Sequence, residues 1–303
     1  MGRVLCLLYH RVNPIKDNLY NLTVSPSEFE EHIRYLVKNY RIIRFEENWE
    51  EISEDAIAIT FDDGYADNYL HALPVLEKYK VPATIFISSG NIGTCKEFWW
   101  DEIERILTEQ EKYPEQFHLH DQLYKYTWKT VTEYQRKELA KTLRWLLRME
   151  PDDSCIKDWT EHLKMWAGVM SDEGRTEKLS LSKGQLMDLA KSPFITIGAH
   201  TVRHLSLGAL SDEDQECEIV NSISYLEKEL KQKIEVFSYP FGTGSDYNKT
   251  TLEICRRNGI KKAATTKIAL WNKGDNLLEI PRLSVKNGNL KVLIKDINRM
   301  MEK

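Results

Sequence analysis

The chain has 303 residues, of which 42% are hydrophobic and 29% charged, enough for one large α/β domain or two small ones. Its 42 basic and 47 acidic residues give a formal net charge of −5, which argues against a nucleic-acid-binding surface. No stretch approaches the roughly 18 consecutive apolar residues of a membrane span, so no spanning helix is expected.

The cysteines and the N-terminus both favour a reducing compartment. The five cysteines are odd in number and form no C-x-x-C pair, so neither a disulfide framework nor a cysteine zinc site is expected. The first apolar run, 4–9, is shorter than a signal-peptide core of roughly 7–15 residues. The sequence therefore predicts a cytoplasmic protein, with a removed leader left open as the alternative.

Short apolar runs alternate with amphipathic stretches along most of the chain, which is typical of parallel β/α units. The predicted strands are 4–9, 40–45, 56–61, 83–88, 194–199, 236–241, 261–266 and 280–285. The predicted helices are one capped by Ser27 with Glu30, then 66–79, 211–232 after Ser211, 246–258 and 289–301. About eight strands in this order predict a barrel of parallel strands ringed by helices.

Residues 95–190 interrupt this alternation. They are rich in Trp, Glu, Lys and Gln, show helical spacing in WWDEIERIL and LAKTLRWLLRM, and contain no obvious strand. We interpret them as a mostly helical insertion in a single barrel domain that spans 1–303. Because loops gather at the carboxyl ends of barrel strands, the insertion is expected near that mouth. A separate domain is the alternative.

Three of the predicted strands end in polar side chains that could bind a metal. They are Asp62 and Asp63 in TFDDGY, His200 and His204 in HTVRH, and His10 in LLYHRV. Each has an ordinary alternative: a turn, a pair of histidines on a helical turn, or a structural histidine. In a barrel, however, the carboxyl ends of the strands converge on one rim, so we expect these side chains to meet.

Such a group of side chains has the chemistry of a metal-dependent hydrolase. One carboxylate and two imidazoles can hold a divalent cation and leave positions open for water and substrate. A second carboxylate can take a proton from water whose pKa the metal has lowered to about 7. A third histidine can protonate the leaving group. The combination predicts hydrolysis of an amide or ester without a covalent intermediate.

The motifs resemble those of the polysaccharide deacetylase family, the carbohydrate esterases that share the NodB homology domain. The match comprises TFDDGY at 60–65, HTVRH at 200–204 and YPFG at 239–242, in the family's order. It covers about 1–92 and 194–285 and leaves the insertion unexplained. The resemblance implies an α/β fold, an irregular (β/α) barrel of seven or eight strands, here with a mostly helical insertion.

The resemblance also implies a role for each motif residue. Asp62 would be the general base, and Asp63, His200 and His204 would bind one divalent metal. Zinc is the favoured ion, and cobalt, nickel or iron would also suit two histidines and one aspartate. The backbone N–H of Phe241 would help to form an oxyanion hole. The implied reaction is attack of metal-bound water on an N-acetyl carbonyl.

Two departures from the family pattern affect the remaining assignments. Many members place an arginine two residues before the motif proline, where this chain has Ser238; Arg282 in IPRLSV is the candidate substitute. Many members take the catalytic acid from a histidine near the C-terminus, but none follows His204. A branch similar to the biofilm poly-N-acetylglucosamine deacetylases uses a histidine in an N-terminal Y-H motif. That resemblance assigns the acid to His10.

The sequence thus predicts a metal-dependent hydrolase that removes an N-acetyl group, in preference to an O-acetyl group, in cell-surface polysaccharide biosynthesis. The expected partner is an N-acetylated sugar or glycan, such as a lipid-linked or nucleotide-linked precursor; the oligomeric state stays open. Trp99, Trp100 and Tyr239 are candidate sugar contacts, with packing as the alternative. Two other functions stay open: a different amidase, such as a deformylase or an allantoinase-like enzyme, and a non-catalytic carbohydrate-binding protein.

Overall fold

The computed structural model describes residues 2–14, 19–120, 125–151, 153–286 and 289–302. The chain forms two compact units. The barrel unit consists of Met1–Gly93 and Ser180–Lys303, and the inserted unit consists of Thr94–Leu179. Among the described residues, no helix combines the length and the apolar character needed to cross a membrane.

The strands are numbered in chain order across both units. They are β1 (Val4–Tyr9), β2 (Arg11–Val12), β3 (Thr23–Val24), β4 (Arg41–Ile43), β5 (Ala56–Phe61), β6 (Ala83–Ile87), β7 (Gln116–His120), β8 (Lys125–Lys129), β9 (Ile195–Ala199), β10 (Val236–Ser238), β11 (Lys262–Ala264) and β12 (Arg282–Ser284). The helices are α1 (Pro26–Asn39), α2 (Leu73–Tyr79), α3 (Trp99–Thr108), α4 (Glu133–Leu147), α5 (Asp153–Ala167), α6 (Lys183–Lys191), α7 (Asp212–Leu230), α8 (Lys249–Arg257) and α9 (Leu290–Met301).

The barrel unit is built around an eight-stranded parallel sheet. Its order is β11-β10-β9-β6-β5-β1-β12, with β4 paired to β5. A parallel bridge between Ala264 and Ile280 brings β11 to the segment before β12, so that the sheet nearly closes into a barrel. Every residue of β1, β5 and β6 is buried, as expected for strands covered on both faces. All eight predicted strands are present, several of them shorter than predicted, and the predicted fold class is confirmed.

The first helix begins two residues earlier than the sequence predicted. Ser25 accepts a hydrogen bond from Glu28 N, and the Glu28 carboxylate accepts one from Ser25 N, so these residues form the capping box. Pro26 is suited to the first turn because its missing N–H has no intrahelical partner there. The predicted cap, Ser27 with Glu30, was therefore wrong.

A π-helical segment, Asn68–Ala72, precedes α2 within the helix predicted at 66–79. Pro74 lies just after it and cannot donate the backbone hydrogen bond that a regular α-helix would require. Asn68, the first residue of this segment, lies three positions after the TFDDGY motif and donates a hydrogen bond to the backbone carbonyl of His10.

The inserted unit consists of α3, α4 and α5 with an antiparallel hairpin formed by β7 and β8. The expectation that this stretch contains no strand was wrong. In QFHLH, Phe117 and Leu119 are buried while polar residues alternate with them, which is the two-residue period of a strand. The unit ends at Leu179, so α6, which begins within the predicted insertion at 95–190, belongs to the barrel unit.

Candidate active site

Three buried side chains meet at the carboxyl ends of β5 and β9. His200 Nε2 and His204 Nε2 lie 3.4 Å and 3.3 Å from Asp63 Oδ1. One ligand atom from each of the three residues lies within 4.8 Å of the others. Asp63 Oδ1 accepts no hydrogen bond from the described part of the chain although it is buried. A carboxylate and two imidazoles converging in this way fit a divalent cation.

The orientation of His200 supports this fit. His200 Nδ1 lies 2.7 Å from the carbonyl oxygen of Ser238, and since a carbonyl can only accept, Nδ1 donates. The lone pair is then on Nε2, the nitrogen that faces Asp63. Metal-binding histidines are typically oriented by such a second hydrogen bond. Ser88 Oγ also donates to the His200 carbonyl, at 2.9 Å, which anchors the backbone at this position.

The backbone at the site is held in unfavourable conformations. Asp63, Thr201, His204 and Phe241 have φ values of 77°, 61°, 57° and 59°. Such left-handed conformations cost non-glycine residues about 1–3 kcal/mol each and persist only where the surroundings enforce them. Their concentration beside the two histidines and the aspartate indicates that the fold is organised to present these side chains.

Glu218 of α7 holds the loop that carries the histidines. Its Oε2 accepts hydrogen bonds from the backbone N–H groups of Val202 and Arg203 at 3.0 Å and 2.9 Å. Its Oε1 accepts one from Arg203 Nε at 2.6 Å. The sequence analysis missed Glu218. The available signal was an acidic residue on the buried face of a predicted amphipathic helix, beside Gln215 and Ile219.

Asp62 is buried beside this cluster and forms a two-pronged ion pair with Arg282. Arg282 Nη1 donates to Asp62 Oδ1 and Nη2 donates to Oδ2, each at 2.7 Å. Burial raises the pKa of Asp62, but the charge and hydrogen bonds of Arg282, with a contribution from His200 when its ring is protonated, outweigh burial and bring the pKa below its usual value. Asp62 is therefore ionised in the neutral range and fixed in one orientation.

Arg282 reaches Asp62 from β12, the last strand in the chain. It is fully buried, and its remaining donors bond to Thr265 O at 2.8 Å, Thr60 Oγ1 at 3.2 Å and Ser238 Oγ at 2.9 Å. Ser238 Oγ in turn donates to Asp62 Oδ2 at 3.2 Å. Ser238 thus contacts both the Asp62 carboxylate and the Arg282 guanidinium.

His10 follows β1 and is half-buried. Its backbone carbonyl accepts a hydrogen bond from Asn68 Nδ2 at 2.8 Å. Burial raises the pKa of both Asp62 and Asp63, and a positive charge on His10 is among the contributions that lower it again. The field of a protonated His10 therefore reaches both aspartates.

Phe241 of the YPFG motif lies beside the histidines. Its ring packs edge-on against the His204 ring, with the centroids 4.8 Å apart. Thr266 Oγ1 donates to its carbonyl oxygen at 2.7 Å, and Gly242 continues the left-handed backbone with φ of 64°. The motif is thus brought to the same rim as TFDDGY and HTVRH.

The aromatic residues predicted to contact sugar have different positions. Tyr239 is fully buried, and its hydroxyl donates to the Leu278 carbonyl at 3.0 Å, so the structure makes it a packing residue. Trp100 is 1% exposed and stacks on Phe98 with centroids 4.6 Å apart, which also leaves no face for a sugar. Both positions favour the packing alternative over a sugar contact. Trp99, in the inserted unit, is half-buried, and its role stays a prediction.

Comparison with known proteins extends these observations. A family model described as polysaccharide deacetylase matches residues 50–152 and 160–263. A Bacillus subtilis (strain 168) protein provisionally named polysaccharide deacetylase YxkH is 25% identical, over 93% of this chain and 71% of its own. Poly-beta-1,6-N-acetyl-D-glucosamine N-deacetylase of Staphylococcus aureus (strain MSSA476) is 24% identical, over 99% and 84%. The Streptococcus pyogenes deacetylase PplD, at 20% identity and with 97% of each chain covered, has a similar fold, with a TM-score of 0.59.

Proposed function

The chain belongs to the polysaccharide deacetylase family, hydrolases of acetylated glycans, and from this premise we propose that it removes the N-acetyl group from a hexosamine unit. The observation that carries the proposal is the group of Asp63, His200 and His204 with the Asp62–Arg282 pair beside it. The name of the S. aureus relative supports an N-acetylglucosamine glycan as the substrate class. A cytoplasmic location stays a prediction; under it, the substrate would be a lipid-linked or nucleotide-linked precursor.

Asp63, His200 and His204 would hold one divalent ion, and we propose zinc. Two imidazoles and one carboxylate also suit cobalt, nickel or iron, so availability would decide between them. When bound, the ion supplies Lewis acidity, which lowers the pKa of a nucleophilic water and polarises a carbonyl oxygen.

Asp62 acts as the general base in this proposal. Its two oxygens each accept one bond from Arg282, and Oδ2 lies 4.0 Å from His200 Nε2, on the side of the histidines. Oδ2 also accepts the hydrogen bond of Ser238 Oγ, whereas among the described residues Oδ1 accepts only one bond, from Arg282, and Oδ1 therefore keeps a lone pair for an attacking water. Asp62 takes the proton as the water oxygen forms its bond to the acetyl carbon.

His10 and Phe241 complete the reaction. The backbone N–H of Phe241 donates to the oxygen that becomes negative as the tetrahedral intermediate forms. The protonated imidazole of His10 then gives its proton to the amide nitrogen as the C–N bond breaks. The products are acetate and a free amine on the sugar.

A release assay with metal analysis tests the proposed function. We expect the zinc-loaded protein to release acetate from oligomers of β-1,6-linked N-acetylglucosamine, a chelator to abolish release, and added zinc to restore it. The same sugars with formyl in place of acetyl, and an O-acetylated glycan, serve as matched comparisons. Preferred formate release would favour a deformylase. A protein that binds zinc and hydrolyses none of them would instead be a carbohydrate-binding protein.

His10→Ala is expected to lower kcat for acetate release by about 10²–10⁴-fold, the usual contribution of a general acid, with zinc still bound. The amine would then have to leave without a proton from the protein. Steady-state kinetics with zinc content measured on the same sample provide the check. His71→Ala, which removes a histidine outside the site, is the control and should leave kcat unchanged. A His10→Ala enzyme within a few-fold of wild type would place the acid elsewhere.

A further inference from the structure

Asp67 and Asn68 follow the TFDDGY motif by two and three positions in the chain. Neither residue has a role in the mechanism above. Both are buried, with Asp67 2% and Asn68 0% exposed. Asp67 Oδ2 accepts hydrogen bonds from Arg11 Nε at 3.0 Å and Asn13 Nδ2 at 3.3 Å. Asp67 Oδ1 accepts them from Val12 N at 3.2 Å and Asn68 Nδ2 at 3.1 Å. A single buried carboxylate thus collects donors from three consecutive residues of another segment.

The segment so held begins with His10. Asn68 Nδ2 donates to the backbone carbonyl of His10 at 2.8 Å, and Asp67 bonds to the three residues that follow. The segment is otherwise held by the pairing of β2 with β3, and β2 is only two residues long. Burial raises the pKa of Asp67, and the bonded Arg11 acts against that rise. Arg11 is itself 2% exposed and lies 4.5 Å above the Tyr65 ring.

We propose that Asp67 and Asn68 are positioning residues that fix the backbone of His10 relative to Asp62 and Asp63. They contact the His10 carbonyl and the residues after it, so they act on where the imidazole is placed. The proposal rests on the proposed function, in which His10 is the acid. The connection to Asp62 is short, because only four residues separate Asp62 from Asp67 in the chain.

A purely structural role is the competing explanation. Removing one partner of a buried charged pair destabilises a protein wherever the pair lies, so a lowered melting temperature alone would not distinguish the two. Catalysis is more sensitive to position: a misplacement of about 1 Å can cost about 10²-fold in rate. A positioning role therefore predicts a loss of kcat that depends on the presence of His10.

A double-mutant cycle with His10 tests this dependence on zinc-loaded protein. We expect Asn68→Ala to lower kcat about tenfold or more while KM stays within about twofold, since substrate binding does not need the His10 proton. In the His10→Ala background the same change should alter kcat by less than about twofold, because the group being positioned is already absent. Zinc content and melting temperature are measured for all four proteins.

Gln215→Ala is the matched structural control. Gln215 is buried, and its Oε1 accepts a bond from Thr251 Oγ1 at 2.6 Å between α7 and α8. Its loss should lower the melting temperature without changing kcat. If Asn68→Ala does not fold, Asp67→Asn, which keeps the shape and removes the charge, is carried through the same cycle.

The outcomes separate this proposal from the proposed function. If His10→Ala lowers kcat but Asn68→Ala leaves it unchanged, or adds its full effect in the His10→Ala background, the positioning role is overturned and the acid assignment stands. If His10→Ala itself leaves kcat unchanged, the acid assignment fails and the positioning proposal fails with it. Dependence of the Asn68 effect on His10, with zinc retained throughout, supports the proposal.

Discussion

Asp62→Asn is expected to lower acetate release by at least about 10²–10⁴-fold while the protein still binds zinc. An amide has the size of the carboxylate but cannot take the proton of the attacking water. Zinc should remain because Asp62 Oδ2 lies 4.0 Å from His200 Nε2, whereas Asp63 Oδ1 lies 3.4 Å and 3.3 Å from the two imidazoles. Metal analysis and steady-state kinetics on one preparation measure both properties.

Asp63→Asn is the matched control for that experiment. The two aspartates are adjacent in the chain and are both buried, and they differ in their partners, because Asp62 is paired with Arg282 and Asp63 faces the two histidines. Asp63→Asn should lose zinc and activity together, since a neutral amide oxygen is a poorer ligand than a carboxylate. If Asp62→Asn lost zinc, or if it kept near wild-type activity, the division between a metal ligand and a base would be contradicted.

Local sequence patterns were sufficient for the sheet and for the residues at its rim. The eight strands followed from apolar runs of about six residues, and Asp62, Asp63, His200 and His204 followed because polar side chains come directly after two of those runs. Parallel strands that end at one edge bring such side chains together whatever their separation in the chain. The structure accordingly brings all four within one small volume.

Contacts made by single side chains across the barrel were harder to predict. Arg282 lies 220 positions from Asp62, and only the absence of an arginine near the YPFG motif pointed to it. Glu218 gave a weaker signal, an acidic residue on the buried face of a predicted amphipathic helix, and nothing in the local pattern distinguished Asp67 and Asn68 from exposed polar residues. The hairpin of the inserted unit was missed although QFHLH has the two-residue period of a strand, because that period extends over only five residues.

Removal of the Arg282 side chain is expected to affect both stability and activity. Arg282→Met would leave the Asp62 carboxylate buried without its counter-charge, and breaking a buried pair on one side costs about 3–5 kcal/mol of unfolding free energy. Burial would then raise the pKa of Asp62 with less opposition, and the base would no longer be held in orientation. Denaturant unfolding and kinetics measure the two losses. A variant with wild-type stability and activity would show that Arg282 does not serve the base.

An arginine placed at position 238 distinguishes the loss of the positive charge beside Asp62 from the loss of the packing that Arg282 provides. Ser238 Oγ lies 3.2 Å from Asp62 Oδ2 and 2.9 Å from Arg282 Nη2. An arginine at position 238 would therefore lie next to the Asp62 carboxylate and to the space that the Arg282 guanidinium occupies. We expect Ser238→Arg combined with Arg282→Met to recover part of the activity and stability lost in Arg282→Met. Ser238→Ala, which removes only the hydroxyl, should change both by far less than Arg282→Met. If the combined variant were no better than Arg282→Met, the base would require the position of the guanidinium on β12 as well as its charge, because an arginine fixed at 282 also holds Thr60 and Thr265.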